Sequence, residues 1–449
     1  MFCFKLLFIF FITVFLSGCA TPLAVQSRVG SSIAVNDFAG AARLLDENPY
    51  LYGRNNTLLY LLDKGFVLHL LKDYPASINS FEKAKNKFDE LYTKSITGFL
   101  STLVINDYAA SYRGEDFERV MVNIFQSINY CLSGSLEEAL VEARQVDSKL
   151  LLINQNYKPN QQNVYKEDAF TRLLMGILYE SSLTSQDYND AYISYARADN
   201  IYEEDYIKNY HLGAPNLLKE NLLTTAKFMG EEEFTKYRAK YNDVKFYTPQ
   251  EKAKKAEIYL IQYNGYSPLK TEAIIPIPMP DGYIVQLAFP QYESRFYRTA
   301  GAVFIAKDQK GRPFKTVTEL GEDLEAIARE NLNNRKTRAV AKSIATSAGK
   351  YLIERKQEES IGKRSGDNTQ AGFRILSSLF NIVTSRADLR SWQSLPSQIR
   401  IGRLLLDPGE YNFSVVSIDS QNQNLNEIDL GKIKVSAGDK KFFAVRSLL

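Results

Sequence analysis

The histidines and cysteines of this 449-residue chain are few and scattered. The two histidines, His69 and His211, lie far apart, and there is no His-Glu-x-x-His or Cys-x-x-Cys from which to build a metal site. Cys131 follows Tyr130 in a helical pattern, where a small buried residue is expected; a thiol with no activating neighbour behaves there as a hydrophobe. Glu118 and Glu142 are the best pair for general acid–base work. Both sit in charged helical stretches near Arg113 and Arg144, where capping and ion pairing are the ordinary roles. Ala348-Gly349-Lys350 has Ile344 and Tyr351 where a phosphate loop needs Gly and Ser/Thr. No Gly-x-Ser-x-Gly elbow occurs, and Asp419–Glu427 lacks the central Gly of a calcium loop and reads as a hairpin loop. No catalytic, metal or cofactor-binding residue is assigned, and no cofactor is expected.

The residue with the clearest chemistry is Cys19. An apolar run from Leu6 to Leu16 follows Lys5 and ends in Leu16-Ser17-Gly18-Cys19. The run is shorter than the ~20 residues a helix needs to cross a bilayer, so it reads as a secretion signal. Its ending resembles the bacterial lipoprotein lipobox. The resemblance implies that residues 1–18 are a signal peptide cut before Cys19, which carries the lipid. Ala20 stands where Asp usually retains such proteins at the inner membrane, which implies an outer-membrane anchor facing the periplasm. Residues 19–35 are small and polar and read as a tether. With Cys3 removed and Cys19 acylated, Cys131 alone remains, so no internal disulfide is expected.

The elements that position everything else fall into two halves. Apolar residues make up 45% and charged residues 24%, as in ordinary globular protein, and the length allows two or three domains. A net charge of +3 gives no argument for nucleic acid as a partner. Residues 36–245 read as helical repeats. Small-then-large spacing recurs in Gly65-x2-Leu68 with Ser77-x3-Phe81, in Ser127-x2-Tyr130 with Ala139-x3-Ala143, and in Gly176-x2-Tyr179 with Ala191-x3-Tyr195. The spacing is of tetratricopeptide type, in which a small residue lets paired helices approach and an aromatic fills the gap. Residues 246–449 read as a β-sandwich-like domain, with strand-forming runs separated by turn signals such as Asn264-Gly265 and Pro408-Gly409. A helical insertion is expected at about 316–385, opened by a capping box Thr316-x-x-Glu319 before a helix Leu320–Leu332 and closed by an amphipathic helix Phe373–Thr384.

Several stretches together resemble a family of bacterial outer-membrane lipoproteins with tetratricopeptide-like repeats and no assigned activity. They are Tyr112-Arg113-Gly114-Glu115-Asp116-Phe117-Glu118, Ala139-Leu140-Val141-Glu142-Ala143-Arg144, Tyr263-Asn264-Gly265-x-x-Pro268, Ala387-Asp388-x-Arg390-Ser391-Trp392-x-x-Leu395-Pro396 and Leu406-x-Pro408-Gly409-x-Tyr411. Gln145 departs from the family, which tends to have a second arginine there.

The reading is therefore an α+β multidomain protein, a repeat-type α-helical solenoid followed by a β-sandwich-like domain. Its expected function is a non-catalytic, lipid-anchored scaffold that binds another envelope protein. The alternatives are an enzyme acting on envelope polymer and a structural subunit of an envelope-spanning oligomer. First helices of stacked pairs usually line the concave side, so Leu68, Lys72, Asn123, Tyr130, Arg172 and Tyr179 are the expected partner-binding residues. The basic Arg335–Arg364 stretch is a second candidate surface, for an anionic envelope component.

Overall fold

A computed structural model of the chain describes residues 21–97, 110–155, 157, 162–181, 184–279, 284–335, 344, 356 and 386–448. Cys19 and the expected signal segment lie outside these residues, as do the Phe373–Thr384 segment and most of Arg335–Arg364.

Helices fill the N-terminal half: α1 Thr21–Ala34, α2 Phe38–Glu47, α3 Thr57–Leu70, α4 Tyr74–Thr97, α5 Asp116–Ser133, α6 Leu136–Gln155, α7 Ala169–Tyr179, α8 Ser185–Ile201, α9 Asn216–Met229, α10 Glu231–Lys240 and the short α11 Pro249–Lys252. The expectation of a tether over 19–35 is corrected, because Thr21–Ala34 is helix. Val25, Val29 and Ile33, spaced by four, place one apolar stripe in the core. The polar residues between them mask that stripe in the sequence. Gln26 on the same helix is buried and donates to Asp63 Oδ2 (3.0 Å) and to the Ser391 carbonyl (3.2 Å).

Consecutive helices pack as antiparallel pairs, with small residues at the crossings. A Cβ on Gly65 would come within 2.5 Å of the Phe81 ring, and one on Gly176 would overlap the Tyr195 ring. Ser77 Oγ donates to the Gly65 carbonyl and Ser127 Oγ to the Ala139 carbonyl, each at 2.7 Å. Hydroxyls at these crossings thus satisfy themselves on the facing backbone and leave the helices close.

Among the described residues the C-terminal half holds ten strands: β1 Ala256–Asn264, β2 Leu269–Pro278, β3 Ile284–Glu293, β4 Thr299–Asp308, β5 Pro313–Val317, β6 Glu319–Asp323, β7 Gln398–Leu406, β8 Gly409–Asp419, β9 Asn424–Val435 and β10 Lys440–Ser447. One four-stranded sheet has the order β10-β1-β7-β6, with β1 and β10 parallel; another has the order β5-β4-β8-β9; β2 and β3 form a separate hairpin. Strands on both sides of residues 324–397 therefore share each four-stranded sheet. The expected capping box at Thr316–Glu319 is corrected. Both residues are in strands, and helix α12 (residues 324–335) begins after Asp323, whose Oδ1 accepts from Ala326 N at 2.9 Å. Alternation in Phe314-Lys315-Thr316-Val317 and pairing with β4 overrode the local capping signal.

The architecture is α+β in three layers. The two four-stranded sheets face each other across Ile258, Leu260, Phe304, Leu404, Phe413 and Val415. The other face of the β1 sheet carries Tyr259, Ile261, Tyr263, Ile399, Ile401 and Phe442 into the core formed with the helices. All nine residues of β1 are buried, since one side of the strand meets the second sheet and the other meets helices.

Candidate functional site

The face made by α3, α5 and α7, the first helices of their pairs, is covered by the chain's own β half. Helix α5 packs on β10 and α7 on β6. Trp392, fully buried, meets Phe66, Phe81 and Phe125 edge-on at 5.9–6.3 Å between ring centroids. This placement decides what the six expected partner residues can do. Leu68 and Asn123 are buried, and Asn123 donates to Glu142 Oε2 (2.7 Å) and Gln145 Oε1 (3.1 Å). Tyr179 is buried, and its phenol oxygen accepts from Arg144 at 2.6 and 2.9 Å. Arg172 is half-buried and pairs with Asp147 at 3.0 Å; Tyr130 is half-buried. Lys72 alone of the six is exposed. The six do not form one surface.

The residues weighed for chemistry are held in the same junction. His69 is buried with Nδ1 2.6 Å from Asn129 Oδ1 and Nε2 2.7 Å from the Tyr263 hydroxyl. Asn129 Nδ2 donates to Ser77 Oγ, so its Oδ1 is the acceptor. His69 therefore carries its proton on Nδ1, and Tyr263 donates to Nε2. Burial pushes the His69 pKa down to about 4, so the ring is neutral and both nitrogens are occupied. Burial likewise pushes the Cys131 thiol well up, away from the thiolate.

Glu118 sits one turn into α5, where its Oε2 accepts from Tyr112 Oη (2.6 Å) and Glu115 N (2.9 Å) and its Oε1 from Trp392 N (2.7 Å). Burial, with Glu115 beside it, raises its pKa to about 7. Burial opposes ionisation of Glu115 too, but Lys270 and Arg335 outweigh it and hold that carboxyl at about 2. Arg390, also buried, donates to Asn56 Oδ1 and the Ala110 carbonyl, both at 3.0 Å, and lies over the Tyr112 ring. Glu142 is taken up by Lys85 (2.9 Å) and Asn123. Glu118 and Glu142 thus stand in separate networks, each with its oxygens committed.

Two further polar clusters, neither singled out in the sequence, bind the halves together. Glu322 of β6 is fully buried and accepts from Tyr206 at 3.0 and 3.2 Å, with Asp168 nearby and no cation in contact among the described residues; burial raises its pKa well above the usual carboxylate range. Glu180 and Glu257 share Lys252 and Lys440, and Glu257 also meets Arg403 (3.4 Å), which pairs with Glu220 (2.7 Å). Lone charged residues in strands, such as Glu257 in Ala-Glu-Ile-Tyr-Leu-Ile and Arg403 in Ile-Gly-Arg-Leu-Leu-Leu, were the available signal. Only their partners, more than a hundred positions away in part, give it meaning.

Among the described residues no group of three or more His, Cys, Asp or Glu is placed to hold a metal ion, and no helix is long and apolar enough to cross a membrane. At least two cavities open at the surface of the described residues. One, of about 530 Å³, lies at the end of the sandwich between Asn264, Tyr297, Gln398, Arg400 and Asp419, with Phe296 at its rim 87% exposed. The other, of about 270 Å³, lies where α3 meets β10, beside His69, Lys72 and Arg446. The chain matches no family model and no curated protein.

Proposed function

We propose that this chain is a lipid-anchored, outer-membrane lipoprotein facing the periplasm, and that it acts there as a non-catalytic scaffold for another envelope protein. In this reading the paired helices are tetratricopeptide-like repeats whose inner face is used internally, to hold the β half. The partner then meets a different surface, and one observation carries the choice. The β2–β3 hairpin stands apart from both four-stranded sheets. Its base is fixed by Lys270 on Glu115 and by Glu272, which pairs with Arg386 at 2.9 Å. Beyond that base Ile274, Ile275 and Ile277 are 44%, 49% and 38% exposed. Neighbours along a strand point to opposite faces, so Ile274 and Ile275 put apolar surface on both sides of the ribbon. An isolated two-stranded ribbon is marginal in water, and an apolar one invites strand-to-strand docking.

The test is paired. Ile275→Lys and Ile277→Lys together are expected to abolish recovery of the crosslinked partner while moving the melting temperature little. Cys19→Ser is expected to leave the chain unprocessed or soluble. Partner capture that survives the hairpin change would sink the docking site; a processed, outer-membrane Ser variant would sink the anchor.

A further inference from the structure

Phe296 is the most exposed large apolar side chain among the described residues, at 87%, yet the chain on either side of it is pinned. Arg295 donates to the Ser267 and Gln393 carbonyls (2.6 and 2.7 Å) and lies over the Tyr266 ring. Tyr297 packs its ring where a Cβ on Gly265 would stand, and its hydroxyl meets Ser397 Oγ at 3.3 Å. With both neighbours held against the body, Phe296 is left projecting into solvent from a fixed backbone. A lone exposed apolar residue is ordinary. This one lines the 530 Å³ cavity at the end of the sandwich, and its ring is offered there at little ordering cost.

The polar groups of that cavity include both donors and acceptors. Gln398 Oε1 accepts from Asn264 Nδ2 (3.3 Å) and lies 3.5 Å from Arg400 Nη1. Its Nε2 is left as a donor with no partner among the described residues, and it is not sealed from solvent. Asp419 Oδ1 accepts from the Gln421 and Gln423 amides, at 2.9 Å each. Those bonds fix the turn after β8 and hold Ser420 and Gln421 at the mouth with their side chains exposed. Asp419 Oδ2 has no partner among the described residues and faces the same opening as exposed Arg298. A phosphate only accepts hydrogen bonds and would be repelled by Asp419, and an aliphatic ligand would leave the amides unmatched. A sugar hydroxyl both donates and accepts, so it suits amide, hydroxyl and carboxylate together. The C–H face of a sugar ring is drawn to the negative face of an aromatic ring. We propose that this cavity binds a short oligosaccharide of pyranose rings with equatorial hydroxyls, one ring stacked on Phe296 and its hydroxyls bonded to Gln398, Ser420, Gln421 and Asp419. Equatorial hydroxyls leave the ring faces to C–H bonds, as stacking requires. The volume lies within the roughly 300–1,000 Å³ of common ligand pockets. This site shares no residue with the hairpin or the anchor.

Cellotetraose and chitotetraose are the probes, titrated into the full chain by calorimetry and followed by saturation-transfer NMR. At least one is expected to bind. Adenosine monophosphate, which has a base to stack and a phosphate for Arg298, is expected to bind at least tenfold more weakly. Phe296→Leu keeps an apolar side chain but no ring face, and is expected to lose at least tenfold in saccharide affinity, whereas Phe296→Trp keeps it. The position stands in solvent, so both variants should melt with the native chain. Gln421→Ala, on the exposed turn, is expected to lose about threefold. Absence of binding by both saccharides, equal or tighter binding of adenosine monophosphate, or native affinity in Phe296→Leu or Gln421→Ala would each overturn the proposal. Loss of a crosslinked protein partner in Phe296→Leu, with no saccharide bound by the native chain, would overturn it in favour of a protein interface.

Discussion

Glu118 shows how a side chain of catalytic type becomes a structural one. Three donors from two distant parts of the chain converge on it, and its pKa rises from 4.5 to about 7. Between those values the unfolded chain has released this proton and the folded chain has kept it. Stability then falls as pH rises through that window, by on the order of 3 kcal/mol from this group. Glu118→Gln is expected to flatten the pH dependence between 4.5 and 7, measured as urea midpoints. Near pH 4 it should cost about 1 kcal/mol, because an amide has one acceptor oxygen for the Glu115 and Trp392 amides, and that deficit should shrink and reverse as pH rises past 7. Glu322→Gln has the same sign at high pH. A carboxyl kept protonated by burial opposes folding once the unfolded chain ionises, so the variant should melt above the native chain at pH 8 and converge with it near pH 4. Slopes identical to the native chain in both variants would refute this account.

At the level of elements, the crossings between paired helices are the sensitive points. Gly65→Ala and Gly176→Ala each drive a methyl into an aromatic ring of the second helix, and each should cost about 1–3 kcal/mol in a denaturant melt. Gly53, with open space around its Cβ position, makes no crossing and serves as a comparison, although its φ of +73° adds backbone strain to any replacement. The elements misread from sequence failed for definable reasons. Helix α1 hid its stripe among Ser, Gly and Gln. Strands β5 and β6 carried a helix-start signal that sheet pairing overrode. The β2–β3 hairpin was visible as strand, but nothing local told that it would stand outside both sheets.

For the whole molecule, the shared core predicts that the halves do not separate. Cleavage between residues 336 and 385 should leave two pieces that co-elute in size exclusion, since β1 pairs β7 and β10, β6 pairs β7, and β4 pairs β8 across the cut. Elution of two separate folded fragments would contradict the layered arrangement. Thermal unfolding of the uncut chain should likewise follow one transition by far-UV signal and by Trp392 emission, because Trp392 reports the helix–sheet junction itself.

The order of elements was legible in the sequence. Helical spacing up to about residue 245 and alternation after it reflect local periodicity, which is written into consecutive residues. The small residues at the crossings were legible for the same reason: Gly65 and Phe81, or Gly176 and Tyr195, belong to adjacent helices. Segments flagged by resemblance, Tyr112–Glu118, Tyr263–Gly265 and Arg390–Trp392, carry their meaning only when brought together. Glu118 meets the Trp392 amide 274 positions away, and His69 meets Tyr263 across 194. Which face of the helices stays open, which carboxylate is neutral and which phenylalanine is left in solvent were decided by tertiary structure. Burial and long-range pairing set them, and neither is a property of any short stretch of chain.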